Sequence, residues 1–209
     1  DNDIMFFGVD GTWDARRSGI TQNINGLWRT ADSTVGVGSE GLIVRRIGNT
    51  WARQASGVNR HLRAVHGAGA GGAGELVAVG DGGAITRWDG LRWNLDATPT
   101  TQDLLGVWLA SATEGFAVGN SVMLHYREGT WQTVTGVQAR RMNGIWGFNS
   151  NDVWAVGNNG TALRWNGSAW NALPTGTSLA LRSVWGSGAN DVWVVGEGGI
   201  VLRWNGLEF

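Results

Sequence analysis

The spacing of a few aromatic residues constrains this chain more than any other feature. Fifteen residues separate Trp13 from Trp28, Trp51 from His66, Trp93 from Trp108, Trp131 from Trp146 and Trp170 from Trp185. After Trp28, His66, Trp108, Trp146 and Trp185, a glycine follows at Gly38, Gly80, Gly119, Gly157 and Gly196. The next aromatic then comes 12 or 13 residues later, at Trp51, Trp93, Trp131, Trp170 and Phe209. The clearest copies are IWGFNSNDVWAVGNNGTALRWNGSAW (145–170) and VWGSGANDVWVVGEGGIVLRWNGLEF (184–209). Constant spacing across divergent residues marks a repeat of about 39 residues, and a period of that size decides the architecture before local propensity does. Only the second repeat carries an insertion, the glycine- and alanine-rich Gly67–Gly74, expected as a longer surface loop.

Each repeat divides into four short strands, A to D. In the fourth copy they are predicted at Met142–Gly147, Asp152–Val156, Thr161–Trp165 and Trp170–Leu173. Turn dipeptides such as Asn159-Gly160 and Asn166-Gly167 separate them, because both residue types tolerate the positive φ of two-residue hairpins. Glycine supplies 35 of the 209 residues and proline only 2, which excludes collagen-like and proline-rich disordered chains. Fourteen tryptophans provide a large apolar surface to bury. Four antiparallel strands repeated at this period describe a propeller blade, so the expected fold is an all-β propeller of four-stranded blades. A β-sandwich explains strands but not a four-strand period, and the glycine density excludes a helical solenoid.

The chain reads as a single propeller domain over 1–209, with blades near 20–57, 58–99, 100–137, 138–176 and 177–209. Residues 12–18 form a D-like segment with no A, B and C strands of its own. The economical arrangement is five blades, with this segment as the outermost strand of the last one, so that no sheet edge stays open. Residues 1–9 are then surplus. The alternative is a piece of a six-bladed or larger propeller. The pattern D-V-W-x-V-G-x-x-G-x-x-x-R-W-x-G-x-x-W, at Asp152–Trp170 and, with a final phenylalanine, at Asp191–Phe209, resembles tectonin-type propeller repeats. The turns ending in Trp13 and Trp131 are similar to a degenerate Asp-box of sialidase-like repeat proteins. The resemblance spans nearly the whole chain and implies a propeller, a fold shared by lectins, glycosidases and protein-binding scaffolds.

Composition removes much chemistry. All 16 basic residues are arginine, which excludes lysine Schiff bases, and the absence of cysteine excludes disulfides and thiolate chemistry. A net charge of −1 without a basic run argues against nucleic acid as partner, and no apolar run is long enough for membrane insertion. The cysteine-free chain fits an exported or surface bacterial protein whose targeting signal is not part of the sequence. No catalytic residue, metal ligand set or cofactor motif emerges, so the chain is not expected to be an enzyme. Tyr126 occupies the slot of Trp88, Trp165 and Trp204 and reads as framework, and His66 replaces a tryptophan as a packing variant.

The carboxylates follow the repeat. Glu75, Glu114, Asp152 and Asp191 open strand B, where they are expected to accept backbone N–H groups of the preceding turn. Glu40, Asp81, Asn158, Asn159 and Glu197 fall in the B–C turns and are the ligand-binding candidates, with Arg87, Arg164 and Arg203 of strand C as partners. The repeated tryptophans are expected between blades, with Trp154 and Trp193 less essential to packing. B–C and D–A turns share one face of a propeller, so that face is assigned to the ligand. The expected function is a non-catalytic, lectin-like module binding glycans at several weak sites. Its alternative is a structural or protein-interaction propeller that binds a surface protein, and a glycosidase comes third for want of an acid and nucleophile pair.

Overall fold

The computed structural model describes residues 3–7, 13–17, 19–30, 33–48, 50–68, 75–137 and 140–209. Two strands, β1 (Asp3–Phe7) and β2 (Trp13–Arg17), pair with each other. Four complete blades follow in chain order. The first holds β3 (Ile24–Arg29), β4 (Thr34–Gly38), β5 (Ile43–Ile47) and β6 (Thr50–Gln54). The second holds β7 (Leu62–Gly67), β8 (Leu76–Gly80), β9 (Ile85–Trp88) and β10 (Trp93–Leu95). The third holds β11 (Leu104–Ser111), β12 (Glu114–Gly119), β13 (Val122–Arg127) and β14 (Thr130–Thr133). The fourth holds β15 (Met142–Asn149), β16 (Asp152–Gly157), β17 (Ala162–Trp165) and β18 (Trp170–Leu173). A fifth sheet contains β19 (Leu181–Gly188), β20 (Asp191–Gly196) and β21 (Val201–Trp204). All pairings are antiparallel meanders, which makes the described chain an all-β propeller with one repeat per blade. No helix among the described residues is long and apolar enough to cross a membrane.

The A strands form the inner layer, each packed against the A strand of the next blade. Their third residue is always small: Gly26, Ala64, Gly106, Gly144 and Ser183. The reason is steric. A Cβ on Gly26 would meet the Ala64 Cα and the Arg63 carbonyl at 3.2 Å, and one on Gly144 would meet the Arg182 carbonyl and the Ser183 Cα at 3.1 Å.

The glycine that ends each B strand answers a tighter constraint. The residue after it donates its N–H to the carbonyl just before strand A of the same blade, and all five bonds are 2.9 Å: Ser39 to Asn23, Asp81 to His61, Asn120 to Asp103, Asn158 to Arg141 and Glu197 to Ala180. A side chain on Gly38, Gly80, Gly119, Gly157 or Gly196 would overlap that same carbonyl. These glycines are extended where φ is printed, so the requirement is space rather than a left-handed backbone. Beyond them four of the five B–C turns place two successive residues at positive φ, as at Asn159 (57°) and Gly160 (63°), in agreement with the turn chemistry of the sequence, while the third blade places one, Ser121 (55°).

Two expectations change here. The strand Trp13–Arg17 pairs with Asp3–Phe7 and not with β21, while Thr12 and Ser18 lie outside the described residues. A hairpin closed by a short connection forms at lower entropic cost than an edge pairing across nearly the whole chain. Of the predicted loop Gly67–Gly74, Gly67 ends β7 and residues 69–74 lie outside the described residues.

Replacing Gly157 with alanine is expected to destabilise the protein by at least about 2 kcal/mol, since the carbonyl it strikes is fixed by its own hydrogen bond. Gly188, whose Cβ would meet nothing within 4 Å, is the control. Urea melts of Gly157→Ala and Gly188→Ala check this, the second remaining within about 0.5 kcal/mol of the parent.

Candidate functional site

Residues 81, 120, 158 and 197 share one repeat position, directly after the B-strand glycine. The side chain there reaches inward to the second residue of strand A. Arg63 donates to Asp81 at 2.7 and 3.0 Å, Arg182 pairs with Glu197, and the Asn143 amide donates to the Asn158 carbonyl oxygen at 2.9 Å. In the third blade the A-strand residue is Leu105, and Asn120 donates instead to Asp103 at 3.1 Å. Asn143 also bonds the Leu181 carbonyl of the next blade at 2.7 Å, and Asn25 bonds the Leu62 carbonyl at 2.8 Å. The result is a polar rim along the inner edge of the face that carries the B–C and D–A turns. Arg60, which donates to the Gly82 carbonyl, together with Arg140 and Arg141, adds exposed cations to it.

The candidates therefore divide. Asp81, Asn158 and Glu197 belong to this rim. Glu40 and Asn159 sit one residue further along the same turns, in the left-handed region at φ 56° and 57°. The Glu40 N–H donates to the His61 Nδ1 at 3.2 Å. Between Asn159 and the preceding D–A loop lies a cleft of about 470 Å³ lined by Val137, Arg140, Leu163 and Trp170.

Arg87, Arg164 and Arg203 do not join the rim. They lie toward the other end of strand C, each bound to the acid that opens strand B. Arg164 meets Asp152 at 2.8 and 2.9 Å, Arg203 meets Asp191 at 2.8 Å, and Arg87 spans Glu75 and Asp96 at 3.0 Å each. Each guanidinium also covers an aromatic ring: Arg87 lies 4.0 Å from the Tyr126 centroid, Arg164 4.9 Å from Trp154 and Arg203 5.5 Å from Trp193. Arg164 also lines a cleft of about 390 Å³ with Asn149, Asn151, Asn166 and Asn171, on the A–B and C–D side. The strand-B acids are thus cross-strand ion-pair partners rather than acceptors for the preceding turn. The Ser187 hydroxyl and Arg203 hold the Asp191 carboxyl below the usual carboxylate range.

His125 takes the arginine slot in the third blade. It meets Glu114 at 3.2 Å, stacks on Phe116 at 4.1 Å and faces Trp165 of the fourth blade at 5.6 Å. His66 fills the tryptophan slot of strand A, 3.9 Å from the Trp28 ring and 6.1 Å from Trp108, and its Nδ1 accepts the Leu109 N–H at 3.2 Å. Burial pushes it down to about 4. Tyr126 is packed under Arg87 at the blade interface, and burial raises its phenol above the ordinary value. No group of three or more metal-ligating side chains occurs among the described residues.

The tryptophans are largely committed to blade packing. Trp93, Trp108 and Trp131 are buried, and Trp154, expected to matter less, is wholly buried against Trp204 and Phe209 of the next blade. Trp193 and Trp185 are exposed instead. The D-strand indoles reveal a finer rule. Trp93 Nε1 donates to Gln54 and Trp131 Nε1 to Asp96, each three residues past the D-strand aromatic of the preceding blade. For Trp170 that position holds Val134, and its Nε1 is buried without a partner. For Phe209 it holds Leu173, and no donor is present.

The architecture is that of a β-propeller, and three solved propellers align with nearly all of this chain. The structure described as YCF48 bound to D1 peptide matches with a TM-score of 0.71 at 18% identity, over 93% of this chain and 68% of its own. YCF48 from Cyanidioschyzon merolae matches with a TM-score of 0.71 at 16% identity, over 95% and 74%. The RRP9 WD40 repeats match with a TM-score of 0.78 at 12% identity, over 91% of this chain and 62% of theirs. Neither a protein-family model nor a curated protein sequence matches the chain.

Two outcomes follow from this geometry. His66 titrates near 4 when folded and near 6.5 when unfolded, so its contribution is complete above pH 6.5 and is lost as pH falls toward 4. His125, lowered chiefly by burial, acts in the same direction. The urea midpoint is expected to fall across that window, and His66→Gln to flatten most of the slope. Val134→Gln supplies the missing acceptor for Trp170 and is expected to stabilise the fold by about 1 kcal/mol, measured the same way.

Proposed function

We propose that this propeller is a non-catalytic protein-interaction module that holds an extended polypeptide segment along the rim formed by its B–C and D–A turns. The observation that carries this reading is the repeated rim pair, Arg63–Asp81, Asn143–Asn158 and Arg182–Glu197. Guanidinium and amide groups at regular blade spacing suit the alternating carbonyl and N–H groups of a peptide backbone, and planar arginine forks suit carboxylates. The two rim ion pairs are solvent-exposed, so exchanging them for ligand contacts costs little folding energy. A solved propeller of similar fold is described with a bound peptide, which leans the same way.

The lectin-like reading has less support, because stacking on sugars needs free aromatic faces and most of the repeated tryptophans are packed between blades. An exported or surface setting in a bacterium belongs to the same proposal and rests on the cysteine-free composition alone.

Panning the protein against a displayed peptide library, with a glycan array in parallel, tests the reading. Enriched peptides should bind, and the Arg63→Ala/Arg182→Ala pair should lose about tenfold or more in affinity while Tm shifts by less than about 2 °C. Glycan binding without peptide binding would return the lectin. Peptide binding indifferent to the rim variants would move the site to another face.

A further inference from the structure

The fifth sheet exposes a surface that every other blade buries. In strand B the residues three and one before the glycine that ends it, and in strand C the residue that pairs with the second of these, form one lattice on the blade face. Its members are Val35, Val37 and Ile43 in the first blade and Phe116, Val118 and Met123 in the third, all at most 1% exposed. In the fourth blade Trp154, Val156 and Ala162 are 0, 0 and 2% exposed. In the fifth sheet the same positions are Trp193, Val195 and Val201, at 40, 43 and 57%. Beside them Trp185 is 52% exposed, and the Arg203–Asp191 pair stands partly in solvent. The opposite face of this sheet is ordinary: Val184, Val192, Val194 and Trp204 are buried against the fourth blade.

Because the interface is repeated, its filler is known. Over Trp154 and Val156 lie Leu181, which opens the next A strand, then Val184 three residues on, Val194 in strand B, and the Trp204 and Phe209 rings. Over Phe116 and Val118 the same places are taken by Met142, Ile145, Ala155 and the Trp165 and Trp170 rings. Over Val35 and Val37 they are taken by Leu62, Val65, Ala78 and the Trp88 and Trp93 rings. The cover never changes in kind: an aliphatic residue opening a strand, a β-branched residue three positions later, a small or β-branched residue in the neighbouring strand, and two rings on a tight hairpin.

We propose that the Trp185–Trp193–Val195–Val201 face is a blade-accepting surface, and that its occupant is a further blade of this same repeat, presenting a hairpin aromatic pair to Trp193. The exposed lattice matches the buried ones position for position, including Val77, Val79 and Ile85 of the second blade. Arg203 already stands over Trp193 as Arg164 stands over Trp154. A glycan or an unrelated helix would leave the Val195 and Val201 row without the strand-borne aliphatics that cover it elsewhere.

The repeat provides the probe. Phe209 stands in register with Trp170, so a second copy of residues 171–209 joined after Phe209 continues strand D and brings one new set of A to C strands with its Trp204-type and Phe209-type rings. In the extended chain, amide exchange in β19–β21 should slow at least tenfold. Trp193→Ser should lower Tm by about 5 °C or more there and by less than about 2 °C in the parent. A second extension, carrying residues 132–170 in the same register, guards against a failure specific to one added sequence. Unchanged exchange in both extended chains, or an equal Trp193→Ser effect with and without them, overturns the proposal. A parent chain that sediments as a dimer and protects Trp193 without any added blade also overturns it, because the occupant is then a second copy.

Discussion

The structure depends on a carbonyl group pressed against a bare α-carbon. In every blade the chain arrives at the inner strand with its last carbonyl lying on the glycine that ends strand B, and the next N–H closes a hydrogen bond onto it. This contact joins the entry and the middle of a blade, sets where the B–C turn begins, and so fixes the height of the residue that follows the glycine. That residue forms the rim. A blade with a side chain in place of the glycine would have to open its inner hairpin, and the rim pair of Arg63 with Asp81 or Asn143 with Asn158 would part with it.

Much of this was legible in the chain. The 15-residue interval and the recurrent glycine located the strands, and in the fourth repeat strand D starts and ends as expected while strand A runs two residues longer. Periodicity reports only what all copies share, which explains what it missed. Trp154 and Trp193 looked less essential to packing because other repeats carry valine or phenylalanine there, yet in the first four blades the position is fully buried and accepts several shapes, and only Trp193 of the fifth sheet stands exposed. The arginines of strand C looked available because a strand face has two sides, and sequence does not say which side a neighbouring sheet covers. The signal for the rim was present as complementarity within repeats: where strand A carries Arg63 or Arg182 the turn carries Asp81 or Glu197, and where it carries Asn143 the turn carries Asn158.

Polar side chains thus have two distinct duties at opposite ends of the strands. Toward the A–B and C–D turns, acid, cation and ring lock together, as in Asp152, Arg164 and Trp154, where the indole Nε1 and the guanidinium share one carboxylate. Such groups are part of the inter-blade seam, and removing one partner strands the other in a partly desolvated place. Toward the B–C and D–A turns the pairs stand in solvent and are cheap to rearrange. A propeller gains from this division because recognition can diverge on one face while the seam keeps the blades in register.

The small residue at the third position of each inner strand has a geometric consequence for the ring as a whole. Blades are wedges, and the angle of a wedge is set by how close the inner strands approach compared with the outer ones. Gly26 and Gly144 let neighbouring inner backbones come nearly into contact, and Gly106 makes room for the Ile145 side chain of the next inner strand. One position per repeat, never larger than a hydroxymethyl group, therefore limits how closely inner strands approach, and so bears on the wedge angle of each blade.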